Sequence, residues 1–204
     1  HLQLLQKHPY ILNIANKYKK IVLSIARVNP PKEPKIFIET ARLLPQYGFI
    51  WIGNQESVEH LGDIPANCHF LGNMVNAGAY CAQADLFMLP SNYEGLPMVL
   101  IEAMRCGRPV VASDVGGVSE VVRNDINGYT LPNRAELFAE KIEEILSNDD
   151  LYARMSKSAL EICERELTID EAKEREKLRA EYIASIKANF RQTLESIKYT
   201  DEED

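Results

Sequence analysis

The 204-residue chain has no long segment with a basic excess: its 23 lysines and arginines are outnumbered by 30 aspartates and glutamates, and its formal charge is −7. That balance argues against a polyanion-binding surface, so nucleic acid is not an expected partner. Long apolar runs are missing too. No window approaches the roughly 18–20 continuous apolar residues of a membrane span, and the N-terminus lacks the charged start and apolar core of a signal peptide. Only four cysteines occur, Cys68, Cys81, Cys106 and Cys163. They lie far apart, with neither C-x-x-C spacing nor the density of a disulfide scaffold, and read as reduced thiols of a cytosolic protein. There is no D-x-D pair in a metal-binding context and no internal repeat. The chain starts at His1 and not at Met. It reads as a fragment with an upstream segment missing, which leaves peripheral membrane contact of the full-length protein open.

What is present is alternation. The β-rich run "IVLSIARV" (21–28) ends at the prolines of "NPPKEP", after which Ile36, Phe37, Thr40, Ala41, Leu43 and Leu44 recur at helical spacing until Pro45. Five more short apolar runs follow, "YGFIWIG", "ANCHFLG", "ADLFMLPS", "RPVVASD" and "NGYTLP". Helical segments are expected between them over Val75–Ala84, Pro97–Cys106 and Val118–Arg123. Such alternation implies right-handed crossovers and a parallel sheet covered on both faces. The expected fold is α/β, a doubly wound Rossmann-like parallel sheet of about six strands with a C-terminal helical extension. Beyond Asn133 only helices are expected: Arg134–Leu146, Leu151–Arg165, and Thr168 to about Phe190. The last carries a stripe of Leu178, Tyr182, Ile186 and Phe190, and an acidic tail expected to be disordered follows. The domains expected are residues 1–20 as a linker or helix, 21–165 as the sheet domain, 166–198 as a C-terminal helix and 199–204 as tail.

One stretch invites a chemical question. In "NYEGLPMVLIEAMRCG" (92–107), Glu102 interrupts an apolar run and Glu94 precedes it by eight residues. A carboxylate buried there unpaired would cost several kcal/mol, so a partner that offsets the cost is expected. Ligands of open α/β sheets bind outside the carboxyl ends of the strands. "SNYEGL" is such a loop, and it leads into a helix with Pro97 in its first turn. Gly95 permits close backbone approach, and the N–H groups around Leu96 and the first helical turn, Met98 included, can face an anionic oxygen. Because carboxylates repel phosphate, Glu94 and Glu102 should accept from neutral hydroxyls of a sugar or ribose, each such bond contributing roughly 1.5–3 kcal/mol. The positive charge a diphosphate needs is found in "ARVNPPK", where Arg27 and Lys32 leave the first strand at the same edge. Gly116 and Gly117 in "SDVGGVSE" are a second place for close backbone approach, or serve only tight helix packing.

"ARVNPPKEPKIFIETARLL", "ADLFMLPSNYEGLPMVLIEAMRCGRPVVASDVGGVSEVV" and "NGYTLP", in this order and spacing over about residues 21–148, resemble the C-terminal domain of the group 1 glycosyltransferases, also called glycosyltransferase family 4. These are retaining enzymes of the GT-B fold. The resemblance implies that the E-x7-E motif falls on Glu94, which holds donor-sugar hydroxyls near the reacting centre, and Glu102, which holds the ribose. It implies that Arg27 and Lys32 bind the diphosphate and stabilise it as leaving group, that Gly95, Leu96 and Pro97 surround the donor through main chain, and that Leu71, Gly72, Asn73 and Met74 contact the base. Arg27, Lys32 and Glu94 are thus the expected catalytic residues. Ala26 departs from the Gly or Ser common before the arginine, and Ile52-Gly53-Asn54 replaces a glycine-rich turn. The implied donor is a UDP- or GDP-linked sugar, with no metal and no cofactor. The acceptor is a glycan or lipid-linked sugar bound through a second, N-terminal Rossmann-like domain that this chain lacks. The implied setting is polysaccharide or lipopolysaccharide synthesis in the cytoplasm or at the inner face of the membrane. Two alternatives are a non-catalytic GT-B partner subunit, which tends to lose the paired glutamates or the Arg and Lys, and a GT-B epimerase, against which the E-x7-E spacing speaks.

Overall fold

The structure is a computed structural model that describes residues 9–53 and 57–166. Six strands, β1 (Ile21–Ile25), β2 (Gly48–Ile52), β3 (Cys68–Phe70), β4 (Leu86–Leu89), β5 (Val110–Ser113) and β6 (Gly128–Leu131), form one parallel sheet in the order β3-β2-β1-β4-β5-β6. All six fall inside the apolar runs read from the sequence. Every residue of β2, β4 and β5 is buried, which is why these strands read as continuous hydrophobic runs and do not alternate.

The helices are α1 (Pro9–Ala15), α2 (Pro34–Leu43), α3 (Met98–Arg105), α4 (Val118–Val121), α5 (Ala135–Ser147) and α6 (Asp149–Glu166). Pro34 opens α2, a position where its missing N–H is not needed. α2 packs against α5, and α3 packs against the segment that precedes β4. Right-handed crossovers leaving β1 in one direction and β4 in the other require this placement on opposite faces. Around α2 and α5 the core holds Phe37, Phe49, Trp51, Leu86, Met88, Phe138 and Ile142. The Trp51 indole donates to the Ala26 carbonyl at 2.7 Å, so the largest core side chain also ties down the end of β1. The described residues up to Cys163 form one compact unit. No helix among the described residues is long and apolar enough to cross a membrane.

Two helical expectations are revised. The segment expected as an α-helix over Val75–Ala84 is a 3₁₀ stretch over Ala77–Gln83, entered from Asn76 in the left-handed region (φ 54°). α4 stops at Val121 because Asn127 intervenes. Its amide donates to the Val121 carbonyl (2.9 Å) and its oxygen accepts from the Arg123 N–H (2.7 Å), replacing the bonds a further turn would have made. The expected helix over Thr168–Phe190, its apolar stripe and the acidic tail lie outside the described residues.

A second buried asparagine closes α2. Asn67 Nδ2 donates to the carbonyls of Ala41 (2.8 Å), Leu44 (3.1 Å) and Tyr47 (2.9 Å), tying the last turn of α2 to the turn that follows it, where the Ala41 and Leu44 carbonyls also accept from the Leu44 and Tyr47 N–H groups. Asn67→Ala should destabilise the fold by about 2–3 kcal/mol, because three carbonyls lose one shared buried donor and those of Ala41 and Leu44 are left with their backbone bonds alone. A thermal melt should show a drop of about 4–12 °C. A change below about 1 °C would mean that water takes over the role.

Candidate active site

In a parallel sheet all carboxyl ends share one edge, and the order above reverses direction between β1 and β4, which opens a crevice there. The loops after these two strands are zipped together across it. Glu33 N–H donates to the Pro90 carbonyl (3.1 Å), Asn92 N–H to the Pro31 carbonyl (2.9 Å), and Lys32 faces Ser91 in an antiparallel bridge. The zipper brings Lys32 and Glu94 into an ion pair, although 62 positions separate them in sequence. Both side chains are mostly covered, at 18% and 10% exposure. Arg27 stands earlier on the same loop, exposed and with no ion pair among the described residues.

Downstream of Glu94 the loop is open. A Cβ built on Gly95 would meet nothing within 4 Å, and Leu96 and Pro97 are half-buried while Met98, the first residue of α3, is exposed. Among the described residues no hydrogen bond engages the N–H groups of Gly95 and Leu96. With the first turn of α3, whose N–H groups have no partner within the helix, they make a set of donors for an anion.

The structure corrects the premise about Glu102. Leu100, Ile101, Ala103 and Met104 are buried but Glu102 is exposed, on the outward face of α3. No desolvation of Glu102 therefore has to be offset in the free protein. Its carboxylate instead lies over Gly78, where an added Cβ would come within 2.4 Å of Oε2, in a shallow cleft of about 350 Å³ lined by Asn76, Gly78, Ala79, Arg105 and Cys106. The cleft adjoins the chain leaving β3. There Leu71 N–H donates to the Trp51 carbonyl (2.9 Å) and Gly53 N–H to the Gly72 carbonyl (2.8 Å), while Asn73 is exposed and Met74 is half-buried. The candidate residues thus occupy the ends of β1, β3 and β4.

A family model for "Glycosyl transferases group 1" matches residues 12–161. The chain belongs to this family. A model for a bacterial protein of unknown function matches residues 153–204. This group 1 domain is 31% identical over 160 residues to the O-antigen biosynthesis glycosyltransferase WbnH of Escherichia coli, covering 72% of the chain and 46% of that protein. It is 31% identical over 162 residues to the N,N'-diacetylbacillosaminyl-diphospho-undecaprenol alpha-1,3-N-acetylgalactosaminyltransferase of Campylobacter jejuni, covering 76% and 43%. Among solved structures it resembles Anabaena HepE in complex with UDP-glucose, with TM-score 0.72 and 26% identity over 85% of this chain and 53% of that one. The chain therefore spans about half the length of the relatives it matches. The fold of the group 1 domain is the Rossmann-like parallel sheet of these GT-B proteins.

Two cysteines of the group 1 domain are quenched by burial. Burial pushes the Cys68 and Cys81 thiols up to about 12, so they stay protonated and are poor nucleophiles. Burial also lowers the His69 pKa, with the Lys17 charge adding to the effect, while the exposed His60 bonds the Ser57 carbonyl through Nδ1 (3.0 Å). His8 lies outside the described residues.

Sequence reasoning left the role of the glycine pair after β5 open. A Cβ on Gly116 (φ +52°) would lie 1.7 Å from the Glu94 carbonyl oxygen, and Gly117 N–H donates to the Gly95 carbonyl (3.1 Å). The close approach is thus between two protein loops, and the glycines form the floor of the Glu94 loop. Sequence reasoning also missed Ser91, Ser113 and Asn133, which bond to one another behind that loop. Their only signal was a polar residue at the carboxyl end of each of three strands.

Proposed function

We propose that this chain is the donor-binding half of a retaining glycosyltransferase that moves a sugar from a nucleoside-diphosphate sugar to a glycan or lipid-linked acceptor. The observation that carries it is the Lys32–Glu94 pair at the crevice between β1 and β4. A cation and a carboxylate sit together there beside open N–H donors, suited to a diphosphate with a sugar attached. The UDP-glucose complex of HepE and the lipid-linked acceptor in the name of the Campylobacter relative support the substrate class.

In this reading Lys32 and Arg27, with the N–H groups of Gly95, Leu96 and Met98, hold the diphosphate. Negative charge develops on it as the sugar leaves, so these groups act mainly on the transition state. No metal ion is needed for that stabilisation. Glu94 orients the sugar hydroxyls, Glu102 takes the ribose hydroxyls, and Leu71–Met74 flank the base. The acceptor hydroxyl attacks the oxocarbenium-like centre from the face the diphosphate leaves, and the configuration is retained. Residues 1–20 serve as the linker to a domain that carries the acceptor site, 21–165 as the donor domain, and residues 166–198 dock on that other domain. The whole enzyme works in the cytoplasm, at the inner face of the membrane when its acceptor is lipid-linked.

Calorimetric titration of the chain with UDP, GDP and ADP, each with and without an attached sugar, tests this. One nucleotide should bind saturably. Glu102→Ala should weaken the nucleoside diphosphate itself, by about tenfold for one charge-assisted bond. Glu94→Ala should leave that ligand bound no more weakly but reduce discrimination between sugars. Equal effects of both substitutions on both ligands would overturn the division of roles.

A further inference from the structure

We infer that Asn133 is a positioning residue that sets the geometry of the Lys32–Glu94 pair from the far side of the sheet, an inference that rests on the donor-site reading above. Asn133 follows β6, two strands away from the crevice, and its hydrogen bonds among the described residues go to neither Lys32 nor Glu94. Its Nδ2 donates to the Ser91 carbonyl (2.9 Å) and to Asn92 Oδ1 (2.8 Å), and its Oδ1 accepts from Ser113 Oγ (2.5 Å). Ser113 Oγ in turn accepts from the Ser91 N–H (2.8 Å). Both groups of the Ser91 peptide that face the sheet are therefore held by β5 and β6.

The chain of bonds continues to both members of the pair. Ser91 Oγ donates to the Tyr93 carbonyl (2.9 Å), one residue before Glu94. The Asn92 side chain donates to the Glu33 carboxylate, one residue after Lys32. One asparagine thus orders the residues flanking the anion and the cation together. Ser91 and Ser113 are fully buried, at 0% and 1% exposure, so water is a poor substitute for these bonds. Only an amide combines an acceptor for Ser113 with donors for Ser91 and Asn92 in one planar group.

The test uses Asn133→Ala, Ser113→Ala and the double variant of the full chain, with two readouts. The first is amide hydrogen exchange. The Ser91 and Asn92 N–H groups, bonded to Ser113 Oγ and to the Pro31 carbonyl, should exchange about tenfold faster in each variant, with α2 and α5 unchanged. The second is titration with the nucleoside diphosphate and its sugar conjugate. Affinity for the diphosphate should stay within about threefold, while the added affinity from the sugar should fall about fivefold or more, towards the Glu94→Ala value. The double variant should lose no more than the worse single one, since the residues act as a unit. A merely structural asparagine would lower the melting temperature and leave loop exchange and sugar discrimination as in the wild type, and that result would overturn the inference. Ser113→Ala answers the same question should Asn133→Ala not fold. Wild-type chain that binds none of the nucleotides would remove the donor-site reading and the functional role with it, whereas wild-type discrimination that survives in the variants would remove the positioning role alone.

Discussion

Transfer by the whole enzyme is expected to fall about 10²–10³-fold when Lys32 is replaced by alanine, with donor affinity changing far less. The reasoning starts from the place where charge develops. A leaving diphosphate gains negative charge in the transition state, so a cation held at the crevice acts more on the rate than on ground-state binding. Lys32 is held there by Glu94, and both are mostly covered. Removing Lys32 also leaves a largely covered carboxylate without its partner. Loss of one member of a fully buried pair costs about 3–5 kcal/mol. Here the residual exposure of both groups brings the expected cost down to about 1–3 kcal/mol. Measuring the rate well below the melting temperature separates the two effects. Glu94→Gln is the counterpart: with Lys32 released, binding of the free nucleoside diphosphate should strengthen about two- to fivefold. A Lys32→Ala enzyme that keeps its rate within threefold would show that the charge on the leaving group is stabilised elsewhere, with Arg27 the next residue to test.

Gly116→Ala should do comparable damage without touching a charge. Its Cβ would lie 1.7 Å from the Glu94 carbonyl oxygen, whereas real Cβ contacts stay above 3.0 Å, so one of the two loops has to move by more than 1 Å. The left-handed φ of +52° adds strain of its own for a side chain. A displacement of about 1 Å at a reacting centre can reduce turnover about 10²-fold. Steady-state rates beside a thermal melt give the comparison. Turnover within threefold of wild type would mean that the loop over β5 yields without carrying Glu94 along.

The strands were legible in the sequence because burial on both faces leaves a direct trace. "FIWI" and "LFML" hold no polar residue, and only the interior of a covered sheet tolerates such runs. Helix α3 was legible from Pro97 and the apolar positions after it. Glu102 was misjudged from the same stretch. An apolar run on both sides suggested burial, yet the helical period turns Leu100, Ile101, Ala103 and Met104 inward and leaves Glu102 outside. The 3₁₀ stretch was misjudged because Asn76 enters it from a left-handed conformation that composition alone does not signal.

Local composition and spacing thus determined the elements, their parallel arrangement, and the two glutamates, the arginine and the lysine as candidates at one edge. Those properties depend on neighbours within one or two turns of chain. Strand order decided the rest. Whether β4 adds beside β1 or elsewhere is a matter of long-range packing, and only that choice pairs Lys32 with Glu94, puts Gly116 beneath the Glu94 carbonyl and lets Asn133 reach Ser91. Each of these contacts joins residues at least 22 positions apart through hydrogen bonds or steric fit of a few tenths of an ångström. A sequence pattern carries no record of such distances, because the bonds exist only once the sheet has brought the loops to a common edge.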